Sequence, residues 1–397
     1  MKYFKEDGKR VIKCWCNDPE DGAIEQAKNL AALPFIHGHV ALMPDTHQGY
    51  GMPIGGVIAC DGYIIPNAVG VDIGCGMSAV KTNFKEEITK STLMKIREVL
   101  RRVVPMGMGK NHKDPCAEEA MPNLPHSDFV KTLIGPARYQ LGTLGSGNHF
   151  LELQRDEDNN LWIMVHSGSR KFGMAICNHY DKIARDLNKL YFSSIDDKQE
   201  LAFLSMNTIE GLAYFEDMLY ATDFAFRNRQ KMMYDTMEVV QNCVLKYEDK
   251  TISFDKFGDE DMLNIHHNYA SLERHFGKNV YVHRKGATRA YKGELGIIPG
   301  SQGSNSYIVE GLGNRDSFMS CSHGAGRKMG RKAAQRELDL AKELKHMEDI
   351  GVLHGMRNEK DLDESEGAYK DINTVMAEQT DLVSIKYKLR PIVAIKG

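Results

Sequence analysis

The chain has 397 residues, 42% of them hydrophobic and 26% charged, and a formal net charge of −3. Such a length buries a sizeable core, and the near-balanced charge excludes a general polyanion-binding protein. No apolar run approaches the roughly 20 residues of a membrane span, and Met1-Lys2-Tyr3-Phe4-Lys5-Glu6-Asp7 lacks a signal-peptide core, so a cytoplasmic location without membrane partners is expected.

In chain order, Val11 to Trp15 and His39 to Met43 read as short strands flanking a helix from Gly22 to Leu33. Val57-Ile58-Ala59-Cys60 and Tyr63-Ile64-Ile65, separated by Asp61-Gly62, predict a hairpin. Lys85 to Val103 carries an apolar stripe at Ile88, Leu93, Ile96 and Leu100, which predicts a helix. Lys110 to Pro125 reads as a surface loop, and Trp162 to Val165 as a strand that ends at His166. Ile209 to Tyr247, rich in Met and Phe, predicts two helices whose large apolar residues serve the core. Val280 to Val282 and Tyr307 to Val309 are expected strands, and a turn at Gly324 to Gly326 leads into a basic helix over Arg327 to Leu344. Val383 to Tyr387 and Ile392 to Ile395 close the chain as two strands.

Short runs that set Asp, Cys or His among glycines recur along this framework. They are Pro44-Asp45-Thr46-His47-Gln48-Gly49-Tyr50-Gly51, Gly70-Val71-Asp72-Ile73-Gly74-Cys75-Gly76, Gly145-Ser146-Gly147-Asn148-His149-Phe150, His166-Ser167-Gly168-Ser169-Arg170, His266-His267-Asn268 and Ser322-His323-Gly324-Ala325-Gly326-Arg327. Chemistry-bearing side chains beside residues that let backbone approach a ligand suit metal-dependent phosphoryl transfer. Because the runs are spread over residues 45 to 327, they must converge in space. The expectation is one compact, multilayered α+β domain over residues 1–397, with mixed sheets and flanking helices.

Asp72, Cys75, His149, His166 and His267 form a donor pool for two metal ions, in which a thiolate can bridge. Ligand softness alone names zinc first, with manganese or iron behind it. A lone histidine is ordinarily a hydrogen-bonded core or surface residue; three in Gly- or Asn-flanked runs are not ordinary. His323, among small residues ahead of a basic helix, suits a nucleophilic imidazole or a sixth ligand. On this reading, free amides at the helix start would hold phosphate oxygens. Asn148 and Glu152 bracket His149, and Gly300 to Ser306 is a hydroxyl- and amide-rich loop suited to phosphate or base contacts. Basic groups occur at Arg97, Arg101, Arg102, Lys110 and Lys113, at Arg284, Lys285, Arg289 and Lys292, and at Arg327, Lys328, Arg331, Lys332 and Arg336. Local positive patches on a near-neutral chain suit an enzyme that grips a few nucleic-acid phosphates, although any such helix also has a solvated face. Lys5-Glu6-Asp7-Gly8 matches the lysine-adenylating ligase pattern but has none of that fold before it, and neither a Walker A sequence nor an H-E-x-x-H motif is present.

Taken together, these runs resemble the RtcB family of RNA ligases, from the Pro44 run to Lys396-Gly397. The resemblance implies a single-domain fold particular to that family. It also implies a GTP- and manganese-dependent enzyme that joins RNA 2′,3′-cyclic phosphate or 3′-phosphate ends to 5′-hydroxyl ends. It implies Asp72, Cys75 and His149 as ligands of one Mn2+ ion, and Cys75, His166 and His267 as ligands of a second. By the same resemblance His323 is the guanylylated histidine and Asp45 lies near the reacting phosphates. Asn148, Glu152, Ser301, Ser306, Ala325, Gly326, Tyr369 and Lys396 fall where the family contacts the nucleotide. Arg170, Arg327, Lys328, Arg331 and Lys332 are expected to line the approach of RNA, and an archease-like activator is a partner the family suggests. Thr46 stands where many members carry Val. Alternative readings are a metal-dependent phosphatase or phosphodiesterase and an RNA end-capping enzyme.

Overall fold

The computed structural model describes residues 1–258 and 260–397. Its larger sheet runs Leu263–His266, Gly76–Lys81, Leu161–Ser167, Phe150–Arg155, Val383–Lys396, Ser306–Gly311 and Leu295–Ile298, every pair antiparallel. The second sheet runs Lys2–Phe4, Val11–Cys14, Ile36–His47, Ile54–Cys60, Lys278–Lys285 and Asn268–His275. Only Val11–Cys14 and Ile36–His47 pair in parallel there, and the helix Asp21–Ala31 makes their crossover. This is an α+β domain, single and compact.

Side-chain alternation decides which face of the larger sheet each residue serves. Ile163 and Val165 enter a core with Leu151, Val393, Ile96, Met232, Met233 and Val240, beneath the helices Lys90–Val103 and Ile209–Glu248. Trp162 and Met164 turn to the other face, with Met77, Phe150, Ile297 and Ile308. His166 has the parity of Trp162 and Met164, so the same alternation aims it away from the helices. In the second sheet, Val57 and Ala59 serve one core and Ile58 and Cys60 another, which explains an unbroken apolar run.

Five expected elements differ from the structure. The two helices read over 209–247 are one helix of 40 residues, Ile209–Glu248, about 60 Å long. No proline interrupts it, Thr208 caps its start by accepting from the Gly211 amide, and Asp249 ends it in the left-handed region at φ 53°. The Asp61-Gly62 turn does not make a hairpin, because Tyr63–Ile64 pairs instead with Leu204–Ser205. The basic helix is two helices, Arg331–Glu337 and Leu340–Asp349. Asp339 breaks it by capping the Ala341 and Lys342 amides, the competition expected of a short acidic side chain. The two closing strands are one strand, Val383–Lys396, irregular near Pro391, whose halves pair with Ser306–Gly311 and Phe150–Arg155. The 85–103 helix begins only at Lys90, where Thr89 accepts from the Thr92 amide. Among the described residues, no helix is long and apolar enough to cross a membrane.

Candidate active site

The chemistry-bearing runs meet at a cavity of about 400 Å³. His166 reaches it from the end of its strand, and Asp72 and Cys75 from the loop before Gly76–Lys81, while His149, the residue before Phe150–Arg155, stands behind Asp72 and Cys75. His267 lies between Leu263–His266 of the larger sheet and Asn268–His275 of the second, at the point where the chain passes from one sheet to the other. Close approach is built into the glycines. A Cβ on Gly168 would sit 2.2 Å from Asp72 Oδ1, and Gly74, at φ 71°, lies against the long helix, where a Cβ would come within 2.8 Å of Thr222 Cα.

The donor atoms converge on Cys75. Its Sγ lies 3.5 Å from His149 Nε2 and 3.3 Å from His166 Nε2. His149 Nε2 lies 3.0 Å from Asp72 Oδ2, and His166 Nε2 is 3.3 Å from His267 Nε2. The outer nitrogens are engaged elsewhere: His149 Nδ1 sits 3.0 Å from the Leu144 carbonyl and His166 Nδ1 3.1 Å from the Asn148 carbonyl. For His166, a proton donated outward at Nδ1 leaves the Nε2 lone pair facing the cluster, the arrangement usual for metal-ligating histidines, whereas His149 Nδ1 also faces the Arg170 guanidinium.

Electrostatics support the same reading. Burial drives the His166 and His267 pKa values well below normal, so both imidazoles are neutral donors. Burial opposes ionisation of Asp72, but its contact with His149 and the nearby Arg170 charge outweigh it and hold the pKa at about 2. Burial, then the Asp72 charge, pushes the Cys75 thiol well up. Only a cation brought into contact would make it a thiolate. One carboxylate, one thiol and three imidazoles, mostly buried and with Cys75, His149 and His166 donors within 4.8 Å of one another, fit divalent metal.

Beside this cluster stands His323, its ring 4.8 Å from that of His267 between centroids and inclined by 68°. It follows the strand Ser320–Ser322, and Asp45 lies behind it. Asp45 Oδ2 accepts from His323 Nδ1 at 2.6 Å, from the His323 amide at 3.1 Å and from the Gly324 amide at 3.3 Å. Asp45 is fully buried; burial works against its charge, but the His323 contact prevails and lowers its pKa. A carboxylate fixed at Nδ1 leaves Nε2 with its lone pair on the cavity side. Asp45 therefore supports the imidazole rather than the cavity wall. The His323 and Gly324 amides are committed to Asp45, and the helix expected directly after His323 starts only at Arg331.

A polar wall extends from His323 through Ala325 and Gly326 to Arg327, Arg331, Tyr369 and Lys396, and Asn148 and Ser301 also line the cavity. Its hub is Glu364, which accepts from Arg331 at 2.5 Å, Tyr369 at 2.5 Å, Lys396 at 2.9 Å and Arg327 at 3.3 Å. Burial raises the Glu364 pKa, yet Lys396 and Arg331 bring it down to about 2. Arg327 also lies over the Tyr369 ring, 5.0 Å from its centroid. Glu152 and Ser306 sit behind this wall, joined through Gln154, whose amide donates to both at 2.7 and 3.1 Å. Arg170 is likewise behind the ligands, its Nη1 3.1 Å from His149 Nδ1. Lys328 borders a separate hollow with Lys342 and His346, and Lys332 lies outside the cavity lining.

A family model described as tRNA-splicing ligase RtcB matches residues 26–128 and 116–397. The chain belongs to the RtcB family. It is 39% identical over 413 residues to an RNA-splicing ligase RtcB of Escherichia coli (strain K12), with 97% of each chain covered. It is 31% identical over 449 residues to a tRNA-splicing ligase RtcB of Thermococcus kodakarensis, covering 95% of this chain and 92% of that one. An RNA-splicing ligase RtcB homolog 2 of Entamoeba dispar is 29% identical over 449 residues, covering 94% and 83%. In this RtcB-family chain the sequence reading missed Glu364 and the places of Phe150 and Lys285 in the cavity wall. Glu364 lies in an acidic surface-like run, Asp361-Leu362-Asp363-Glu364-Ser365-Glu366, and nothing local marks it.

Proposed function

We propose that this RtcB-family enzyme is a GTP- and manganese-dependent RNA ligase that joins 2′,3′-cyclic phosphate or 3′-phosphate ends to 5′-hydroxyl ends through a guanylylated His323. The observation that carries it is the pairing of an Asp45-oriented imidazole with a Cys/His cluster at one cavity. A carboxylate-oriented imidazole can act as a covalent nucleophile or as a general base, so covalent retention of GMP is what separates a ligase from a hydrolase.

Asp72, Cys75, His149, His166 and His267 would hold manganese, which when bound supplies charge neutralisation at the phosphate oxygens. Asp45 keeps the proton on His323 Nδ1 and stabilises the positive charge the ring gains when Nε2 attacks. Attack falls on the α-phosphorus of GTP, forming a nitrogen–phosphorus bond as pyrophosphate leaves. Asn148, Ser301, Ala325, Gly326, Tyr369 and Lys396 would hold the nucleotide, with Glu152 and Ser306 supporting that wall from behind. A cyclic phosphate is first opened by water to a 3′-phosphate. An oxygen of that 3′-phosphate displaces the imidazole from GMP, giving the RNA end a good leaving group. The 5′-hydroxyl then attacks the RNA phosphorus, its proton passes to solvent, and GMP departs. Arg331, which bonds to Asp363 and Glu364 through Nη1 alone, suits contacts to the transferring phosphates, and Arg327, its fork bound to Glu364, Tyr369 and backbone, contributes positive charge to the same wall.

The test is joining of an RNA whose 3′-phosphate is radiolabelled to a 5′-hydroxyl RNA, with GTP and Mn(II). This reading requires the label to enter a phosphatase-resistant internal diester. Release of the label as inorganic phosphate would favour a phosphatase, and transfer of GMP to the end without joining would favour an end-capping enzyme.

A further inference from the structure

The long helix carries two consecutive polar residues, Asn228 and Arg229, both with 0% exposure, on its buried face. Neither lines the cavity and neither takes part in the chemistry above. A buried guanidinium is costly unless every donor is satisfied and some compensating gain exists. Arg229 spends its donors on neutral acceptors: Nε to Asn264 Oδ1 at 2.8 Å, Nη1 to the Gly74 carbonyl at 2.8 Å and the Ser167 carbonyl at 2.9 Å, and Nη2 to His266 Nδ1 at 3.0 Å.

The sequence positions of those acceptors are informative. Gly74 precedes Cys75, Ser167 follows His166, and His266 precedes His267. One rigid fork thus touches the chain next to a ligand on each of three separate segments. Asn228 extends the arrangement, accepting from the Gly142 and Thr143 amides and donating to Ser167 Oγ and the Gly168 carbonyl. Ser167 Oγ in turn donates to the Leu144 carbonyl at 2.9 Å, the group that also orients His149 Nδ1. Burial lowers the Arg229 pKa to about 10, so the fork stays charged at neutral pH.

We infer that Arg229 is a positioning residue that holds Cys75, His166 and His267 in a shared metal-binding arrangement and so sets the affinity of the centre for divalent ions. The inference rests on the metal-centre reading above. Lysine keeps the charge but cannot reach acceptors in several directions from one planar fork.

The experiment titrates Mn(II) alone into the full-length chain and follows loss of the free-ion paramagnetic resonance signal. Arg229→Lys should weaken Mn(II) binding roughly 10- to 100-fold, the usual effect of removing a group that orients metal ligands. Asn264→Ala, which removes one acceptor of the fork, should weaken it in the same direction by less. Arg284→Lys is the comparison for loss of any buried arginine: Arg284 is equally buried but pairs with Glu273. It should lower Tm and leave Mn(II) affinity in place. A folded Arg229→Lys protein with native affinity overturns the inference, as does an equal loss of affinity in Arg284→Lys. If Arg229→Lys does not fold, unchanged affinity in Asn264→Ala overturns it instead. A native chain that binds no Mn(II) would remove the metal centre itself, a different result from variants that match a native chain which does bind.

Discussion

Asp45 Oδ2 and His323 Nδ1 stand 2.6 Å apart, with Asp45 wholly out of solvent and also bound to two backbone amides. The carboxylate cannot rotate away, so the imidazole is held in one orientation and one tautomer. The residues lie 278 positions apart in the chain, and the fold brings them together by setting the strand Ser320–Ser322 beside the end of Ile36–His47.

Asp45→Asn should leave the fold in place and slow guanylylation by roughly 10²- to 10⁴-fold, the range over which an oriented acid–base partner acts. The amide can present N–H to His323 Nδ1 and so favour the tautomer whose Nε2 carries the proton. Single-turnover labelling with GTP would measure it. A rate within a factor of a few of the native enzyme would remove Asp45 from this role.

Cys75→Ser should cost more metal than loss of any one histidine. Cys75 Sγ faces both His149 and His166, whereas each imidazole approaches the cluster from one side. Serine offers a poorer anionic donor at the same place. Elemental analysis of the purified variant, beside His149→Ala and His267→Ala, checks the order. Two ions still bound per Cys75→Ser chain would contradict a bridging thiolate.

Arg327→Lys should not behave as a conservative change. Arg327 lies over Tyr369 and reaches Glu364, and a lysine ammonium gives up the flat stacked face and the fork. The expected result is a raised KM for GTP in guanylylation. Lys332→Ala, outside the cavity lining, should leave that KM within about twofold, since surface substitutions away from such features are typically near neutral.

Glu152 supplies a pH signature. Burial raises its pKa from 4.5 to about 7, against smaller opposing effects of Gln154 and Lys396. The folded chain therefore holds a proton there between about 4.5 and 7 that the unfolded chain has released. By linkage, this residue makes stability fall as pH rises through that window. Glu152→Gln should flatten that part of the profile, measured as urea midpoints from pH 4.5 to 7.5. A profile parallel to the native one would mean that Glu152 is already ionised in the folded state.

The segments of the donor cluster were legible because each sets a potential metal donor beside a glycine or another small or polar residue, a local pattern a sequence displays. The Asp61-Gly62 hairpin failed because turn chemistry is local, while the partner of Tyr63–Ile64 is supplied from Leu204–Ser205, far along the chain. The two closing strands were read apart, yet the chain runs on as one strand: it changes partner between Leu389 and Arg390, and Pro391 pairs with Gln154 just before a register shift. Glu364 and Arg229 were hidden for a simpler reason. Their roles consist mainly of long-range contacts, to Lys396 and Arg331 in one case and to Gly74, Ser167 and His266 in the other. The Met- and Phe-rich helix was correctly read as core, and that reading concealed the polar pair within it.

The central claim is that His323 becomes covalently guanylylated beside the metal cluster. Incubating the full-length chain with α-labelled GTP and Mn(II), then separating it under denaturing conditions, tests this most directly. The account predicts acid-labile label on the native chain, none when γ-labelled GTP replaces it, and none on His323→Ala with its metal content retained. Full labelling of His323→Ala, or no label on a native chain that joins RNA ends, would contradict it.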